Sequence, residues 1–173
     1  QKYQGNQSQG ASMLYQQLLE TTLTPTGKPD PAQVADLAGK LKNEFGGSTY
    51  AQYGSLFVAK VAVDTGKLDD AASELKAIAD KPSNPTLGEI ARQRLAQVLA
   101  AQNKADEALK LLDGDADKAF VATREELKGD LLVQLGRTDE ANAAYQKAKA
   151  ALSDEAAVGG LQIKLDDLAK GDA

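Results

Sequence analysis

The sequence predicts an all-α solenoid of antiparallel helix pairs, about nine helices in all, closed by a C-terminal capping helix. The first observation is a spacing that occurs three times. A small residue (Ala59, Ala96, Gly129) is followed seven positions later by a turn residue (Gly66, Asn103, Gly136), and five later by an alanine (Ala71, Ala108, Ala141). Four positions further on stands a large apolar residue: Leu75, Leu112, Tyr145. The second observation is that the turns themselves, DTGKLDDA, AQNKADEA and QLGRTDEA, recur at offsets of 37 and 33 residues, the period of stacked helix pairs. The third is that nothing alternates with period two, and aromatic residues make up only 5% of the chain, which argues against strands.

The repeated spacing has a physical reading. Gly66, Asn103 and Gly136 stand where a helix ends and the backbone must turn left-handed, which Gly and Asn tolerate. Asp69, Asp106 and Asp139 sit just inside the next helix, where a carboxylate meets exposed amides and the positive end of the dipole. The small residue and the alanine twelve positions later are then expected to meet across the pair. Leu75, Leu112 and Tyr145 lie one turn beyond each alanine, on the same helix face. A single pair cannot bury its apolar stripe alone, so the pairs must stack.

In order, residues 1–10 (QKYQGNQSQG) read as a polar stalk, and the start at Gln1 suggests an anchor or signal segment removed upstream. Residues 11–173 read as a single domain. Ala11 to Thr22 carries Leu14, Tyr15, Leu18 and Leu19 at helical spacing, and the prolines and glycine of TLTPTGKPDP end it. Gln33 to Phe45 has Val34, Leu37, Ala38, Leu41 and Phe45 on one face, closed by Gly46 and Gly47. Three regular pairs follow at about 50–80, 87–112 and 118–152. Ser153, Asp154 and Glu155 open an end helix over 154–170, with Val158, Leu161, Leu165 and Leu168 as its stripe.

Composition narrows the function. With 20 basic and 25 acidic residues the net charge is −5, whereas phosphate binding wants a basic stripe, so nucleic acid is not the expected partner. The absence of cysteine and histidine removes thiolate chemistry, the commonest general base and the commonest metal ligand. Neither a Walker loop nor GxGxxG nor GxSxG occurs. Asp113, Asp115 and Asp117 imitate the start of an EF-hand loop, but Lys118 replaces its glycine and Arg124 its final glutamate. The paired acids Asp69-Asp70, Glu125-Glu126, Asp154-Glu155 and Asp166-Asp167 fall in helical stretches, where caps and dipoles explain them. No catalytic, metal or cofactor residue is therefore expected, and the chain is not expected to be an enzyme.

What is left is a surface. Tyr53 falls on the inner face of its helix with Lys60 two turns on, and the same face of the next two pairs offers Gln93, Gln97, Glu126 and Asp130. Aromatic, amide and charged groups along one wall suit a peptide or a partner helix. A solvated groove is the alternative reading of the same residues.

The small-turn-alanine-large pattern resembles the tetratricopeptide repeat, best in the third unit, where Gly129, Gly136, Ala141, Tyr145 and Ala148 fall on signature positions. The repeats are degenerate: Ser55, Arg92 and Glu125 stand at the early tryptophan position, and Asp115 replaces a small residue. Leu56, Gln93 and Glu126 stand where chaperone-binding members carry their main lysine, so a carboxylate clamp is not expected. A second resemblance covers nearly the whole chain. The order ASMLYQQLLETT, GKPDP, NEFGGSTYAQYGSLFVAK, DTGKLDDAASEL, IARQRLAQVLAAQNKADEALKLLD, ELKGDLLVQLGRTDEANAAYQKA, LQIKLDDL looks like the YfgM family.

That resemblance implies a single-pass bacterial inner-membrane protein whose tetratricopeptide-like domain faces the periplasm. It implies an ancillary role at the SecYEG translocon, association with the chaperone PpiD, and transfer of secreted proteins to periplasmic chaperones. It transfers no catalytic residue. The alternative is a self-association module that forms a homodimer without binding a peptide. The feature to watch for it is the end helix GGLQIKLDDL, where an incompletely covered apolar stripe would favour a dimer.

Overall fold

The three turn residues singled out by the repeat close their helices in the left-handed conformation, with φ of 78° at Gly66, 62° at Asn103 and 73° at Gly136. Lys67, Lys104 and Arg137 then donate their N–H groups back to Ala62, Leu99 and Leu132 at 2.7, 2.8 and 2.9 Å, which satisfies carbonyls that the helix ends leave open. The molecule is a computed structural model that describes the backbone of residues 2–171 and the side chains of residues 8–171. Gln1 of the expected stalk, and Asp172 and Ala173 of the expected domain end, lie outside the described residues.

Among the described residues there are nine α-helices and one 3₁₀ turn. They are α1 (Lys2–Glu20), α2 (Pro31–Phe45), α3 (Thr49–Asp64), α4 (Leu68–Asp80), α5 (Pro85–Ala101), α6 (Ala105–Leu111), α7 (Val121–Gln134), α8 (Thr138–Ala150) and α9 (Glu155–Gly171). The all-α helix-pair architecture is therefore the one the repeat predicts. Two boundaries differ by more than two residues. The first helix starts at Lys2, not Ala11, so the polar lead through Gly10 is helical; Gly10 lies against the Phe45 ring, where a Cβ would collide. The stretch from Lys118 splits into a 3₁₀ turn, Lys118–Phe120, and α7, because the Asp117 carboxylate accepts the Ala119 N–H at 3.2 Å and fixes a tight start.

The chain divides into two compact units, Gln1–Val98 and Leu99–Ala173. In the first, α1, α2 and α3 pack on one another and α4 packs on α3. Leu18, Val34, Leu37 and Val61 form one cluster, and Ala11, Leu41 and Ala51 a second. Helix starts are capped locally: Asp30 accepts the Ala32 N–H at 3.0 Å with Pro31 at the first helical position, and Ser48 accepts the Ala51 N–H at 3.1 Å. Gln52 ties α3 to the loop after α4, donating to the Lys81 carbonyl at 2.8 Å and accepting from the Ser83 N–H at 2.7 Å.

In the second unit α7 and α8 form the pair, α6 packs on α7, and α9 packs on α8. Its core gathers Leu132, Ala141, Ala144, Tyr145, Ala148, Leu161 and Leu165. The small residue Gly129 also serves a large one. The atoms nearest to a Cβ built on Gly129 all belong to the Tyr145 ring, into which that Cβ would intrude. Here the missing side chain makes room for a large ring one turn further along α8.

Candidate partner-binding surfaces

The six residues expected on an inner wall divide between the two units. Tyr53, Lys60, Gln93 and Gln97 belong to the first, Glu126 and Asp130 to the second. In the first unit, α3 presents Tyr50 and Tyr53 one turn apart, and α1 brings Tyr15 against both. The ring centroids are 5.8 Å apart for Tyr15–Tyr50, 5.8 Å for Tyr15–Tyr53 and 6.4 Å for Tyr50–Tyr53, distances at which tilted rings attract. Burial and the neighbouring Tyr53 raise the Tyr15 phenol above its ordinary value. Tyr53 remains 38% exposed, and Lys60 and Gln97 are exposed. The Gln93 amide is already engaged, donating to Glu89 one turn earlier at 3.1 Å.

Tyr15 and Tyr50 were not among the expected site residues. The signal for Tyr50 was the three-residue spacing from Tyr53, which puts both on one face; Tyr15 read as an ordinary core residue. Beside Tyr50 opens a cleft of about 470 Å³ whose lining includes Ala11, Phe45, Gly46 and Gly47. The first unit thus offers an aromatic surface with an adjoining hollow.

In the second unit, Glu126 and Asp130 do not form a bare wall. Lys164 of α9 reaches both, at 3.0 Å to Glu126 and at 2.9 and 3.1 Å to the two oxygens of Asp130. The Tyr145 hydroxyl donates to the same Asp130 oxygen at 2.6 Å, and the Lys164 ammonium stands 5.8 Å from the Tyr145 ring centre. Burial opposes the charge on Lys164, but Asp130 and Glu126 together outweigh it and raise the ammonium above its ordinary value. Burial first, then the Asp130 hydrogen bond, raises the Tyr145 phenol.

Both shifts act in the same direction with pH. Above about pH 10 the unfolded chain begins to lose phenolic and ammonium protons that the folded unit retains, so stability falls as pH rises. Urea midpoints are expected to be level between pH 7 and 9 and to decline from pH 10 upward, with a smaller decline in Tyr145→Phe. An equal decline in Tyr145→Phe would show that this phenol does not couple to folding.

Two features of this unit escaped the sequence. A cleft of about 720 Å³ lies among α6, α7 and α8, lined by Leu109, Leu132, Ala143 and Ala144 among others. On its rim the nearly buried Glu125 faces Lys128 at 3.6 Å and Lys147 at 3.5 Å. The only hint was the early end of α6, followed by DGDADK. Among the described residues no group of His, Cys, Asp or Glu is placed to hold a metal ion. In the acidic turn, Asp117 caps Ala119, and the Gly114 carbonyl accepts from Arg124 at 3.1 Å. On α9, Leu161 and Leu165 are buried and Ile163 is 64% exposed. No helix among the described residues is long and apolar enough to cross a membrane.

Comparison with known proteins agrees with this architecture. The chain matches the family described as "Tetratricopeptide repeat-like domain" over residues 1–170. It is 29% identical over 167 residues to a protein of Escherichia coli (strain K12) named "Ancillary SecYEG translocon subunit", covering 96% of this chain and 78% of that one. A protein of the same name from Neisseria gonorrhoeae (strain ATCC 700825 / FA 1090) is 28% identical over 165 residues, covering 94% and 77%. A third of that name, from Buchnera aphidicola subsp. Schizaphis graminum, is 26% identical over 119 residues, covering 69% and 61%.

Proposed function

The chain belongs to the tetratricopeptide repeat-like domain family, and from that premise we propose that it is a non-enzymatic docking domain serving the SecYEG translocon. In this reading it is tethered to the bacterial inner membrane and faces the periplasm. It holds protein partners, the chaperone PpiD among them, and assists the passage of emerging secreted chains to periplasmic chaperones. The observation that carries the reading is the likeness along 96% of the chain to a protein named as an ancillary translocon subunit. The docking wall is assigned to the first unit, where Tyr53 is exposed within the tyrosine cluster and Lys60 of α3 and Gln97 of α5 are exposed. A tether would add to such contacts by raising the local concentration of partners at the translocon.

The test is photocrosslinking in native membranes, with a photoreactive residue at Tyr53 or Gln97 of the full-length protein. Adducts with translocon subunits or PpiD are expected. Adducts only between copies of the chain would favour the self-association reading, in which the exposed Ile163 is a side chain a second copy could cover. A well-expressed protein with no adducts at either position would remove the first-unit wall from the proposal.

A further inference from the structure

The end helix α9 is a weak element set on a specific surface. Gly159 and Gly160 interrupt its second turn, and neither has a packing reason, since a Cβ on either would meet nothing within 4 Å. Glycine inside a helix lowers its intrinsic stability. Of the whole helix only Leu161 and Leu165 are buried, with Val158, Lys164 and Leu168 partly so. A helix that serves only to cover a repeat array needs apolar cover and a polar outer face. Here its inner face also carries a lysine aimed at two carboxylates, one of them already fixed by the Tyr145 hydroxyl.

We infer that the α7–α8 surface beneath α9 is a second docking site, for a partner's amphipathic helix with a basic residue set among leucines, and that α9 occupies it in cis. The chain's own segment displays the pattern: Leu161, Lys164, Leu165 and Leu168, or Leu-x-x-Lys-Leu-x-x-Leu. The leucines fill the apolar strip that includes Ala144, Tyr145 and Ala148, the helix-in-groove mode of recognition. Glu126 and Asp130 select the basic side chain, because an apolar or acidic residue there would forfeit or oppose their charge. A partner helix enters by displacing α9, so the tethered copy, at high effective concentration, suppresses weak ligands and admits strong ones. The inference rests on the chain being a protein-docking module, but it uses residues of the second unit alone. Crosslinks at Tyr53 and Gln97 can fail while this site stands, and the reverse.

The probe is a labelled peptide of residues 154–171, together with a second peptide that keeps only the three leucines and the lysine, both titrated into the full chain. Lys164→Glu in the chain is expected to loosen α9 and to tighten peptide binding about tenfold over the unaltered chain. Adding Glu126→Gln and Asp130→Asn should abolish that gain, as should a glutamate in place of the peptide's lysine. If Lys164→Glu fails to fold, Lys164→Ser removes the charge without reversing it and is read in its place. In the unaltered chain, hydrogen exchange should find α9 amides opening faster than those of α8. Equal peptide affinity for the altered and unaltered chains, or α9 amides that exchange only with α8, would overturn the inference. A dimer of Lys164→Glu that takes up no peptide would overturn it in favour of a second copy as the occupant.

Discussion

Tyr145→Ala is expected to destabilise the second unit by about 3–5 kcal/mol, the range for removing a large buried aromatic side chain. The residue is 3% exposed and lies in the cluster that joins α7, α8 and α9. Its ring fills the space that Gly129 leaves open, so truncation creates a hole that the glycine, having no side chain, cannot fill. The loss should also loosen Asp130, which would keep Lys164 but lose the phenol at 2.6 Å. Tyr145→Phe separates the two effects: it keeps the ring and is expected to cost only about 1 kcal/mol, since the half-exposed Asp130 can take water instead. Urea unfolding of both variants, with the slope compared as well as the midpoint, is the measurement. An alanine variant within about 1 kcal/mol of the phenylalanine variant would mean that ring packing against Gly129 contributes little.

Most of the fold was legible because its signals are local. Asn103 illustrates this: among the described residues it alone has positive φ without being glycine, and its place in the spacing marks it as a turn residue. The starts of α2 and α3 follow from the caps Asp30 and Ser48, whereas the start of α1 at Lys2 carries no such signal. What escaped the reading depends on which helix covers which. That the Tyr145 ring lies directly against Gly129 is a matter of side-chain direction across the pair, which spacing along one helix does not carry. The same holds for the candidate surfaces. Tyr53 and Asp130 were found because they stand at inner-face positions of a repeat. Their partners Tyr15 and Lys164 come from α1 and α9, which lie outside the repeat and have no register to count from. The hollow beside α6 likewise depends on how early that helix stops, and DGDADK was legible only as a turn.

Leu75→Ala is expected to cost about 2–5 kcal/mol, the range for a buried leucine, and it tests the repeat as a physical unit. Leu75, Leu112 and Tyr145 occupy the equivalent position in the three pairs, and all are buried, at 1%, 0% and 3% exposure. Leu75 sits on α4, and α4 packs on α3, whose buried residues include Leu56, Ala59 and Ala62. The substitution would leave a cavity in the first unit and should act on it independently of Tyr145, since the two side chains fall in different units and distant sites add. Val63→Ala, at a 42% exposed position of α3, is the control and should stay within about 0.5 kcal/mol. The comparison decides between two sources of stability. If Leu75→Ala is costly and Val63→Ala is not, the inward stripe of each pair holds the array together, as the stacked-pair argument requires. If the two cost the same, burial of the inward stripe adds little, and the recurring large residue would need another explanation.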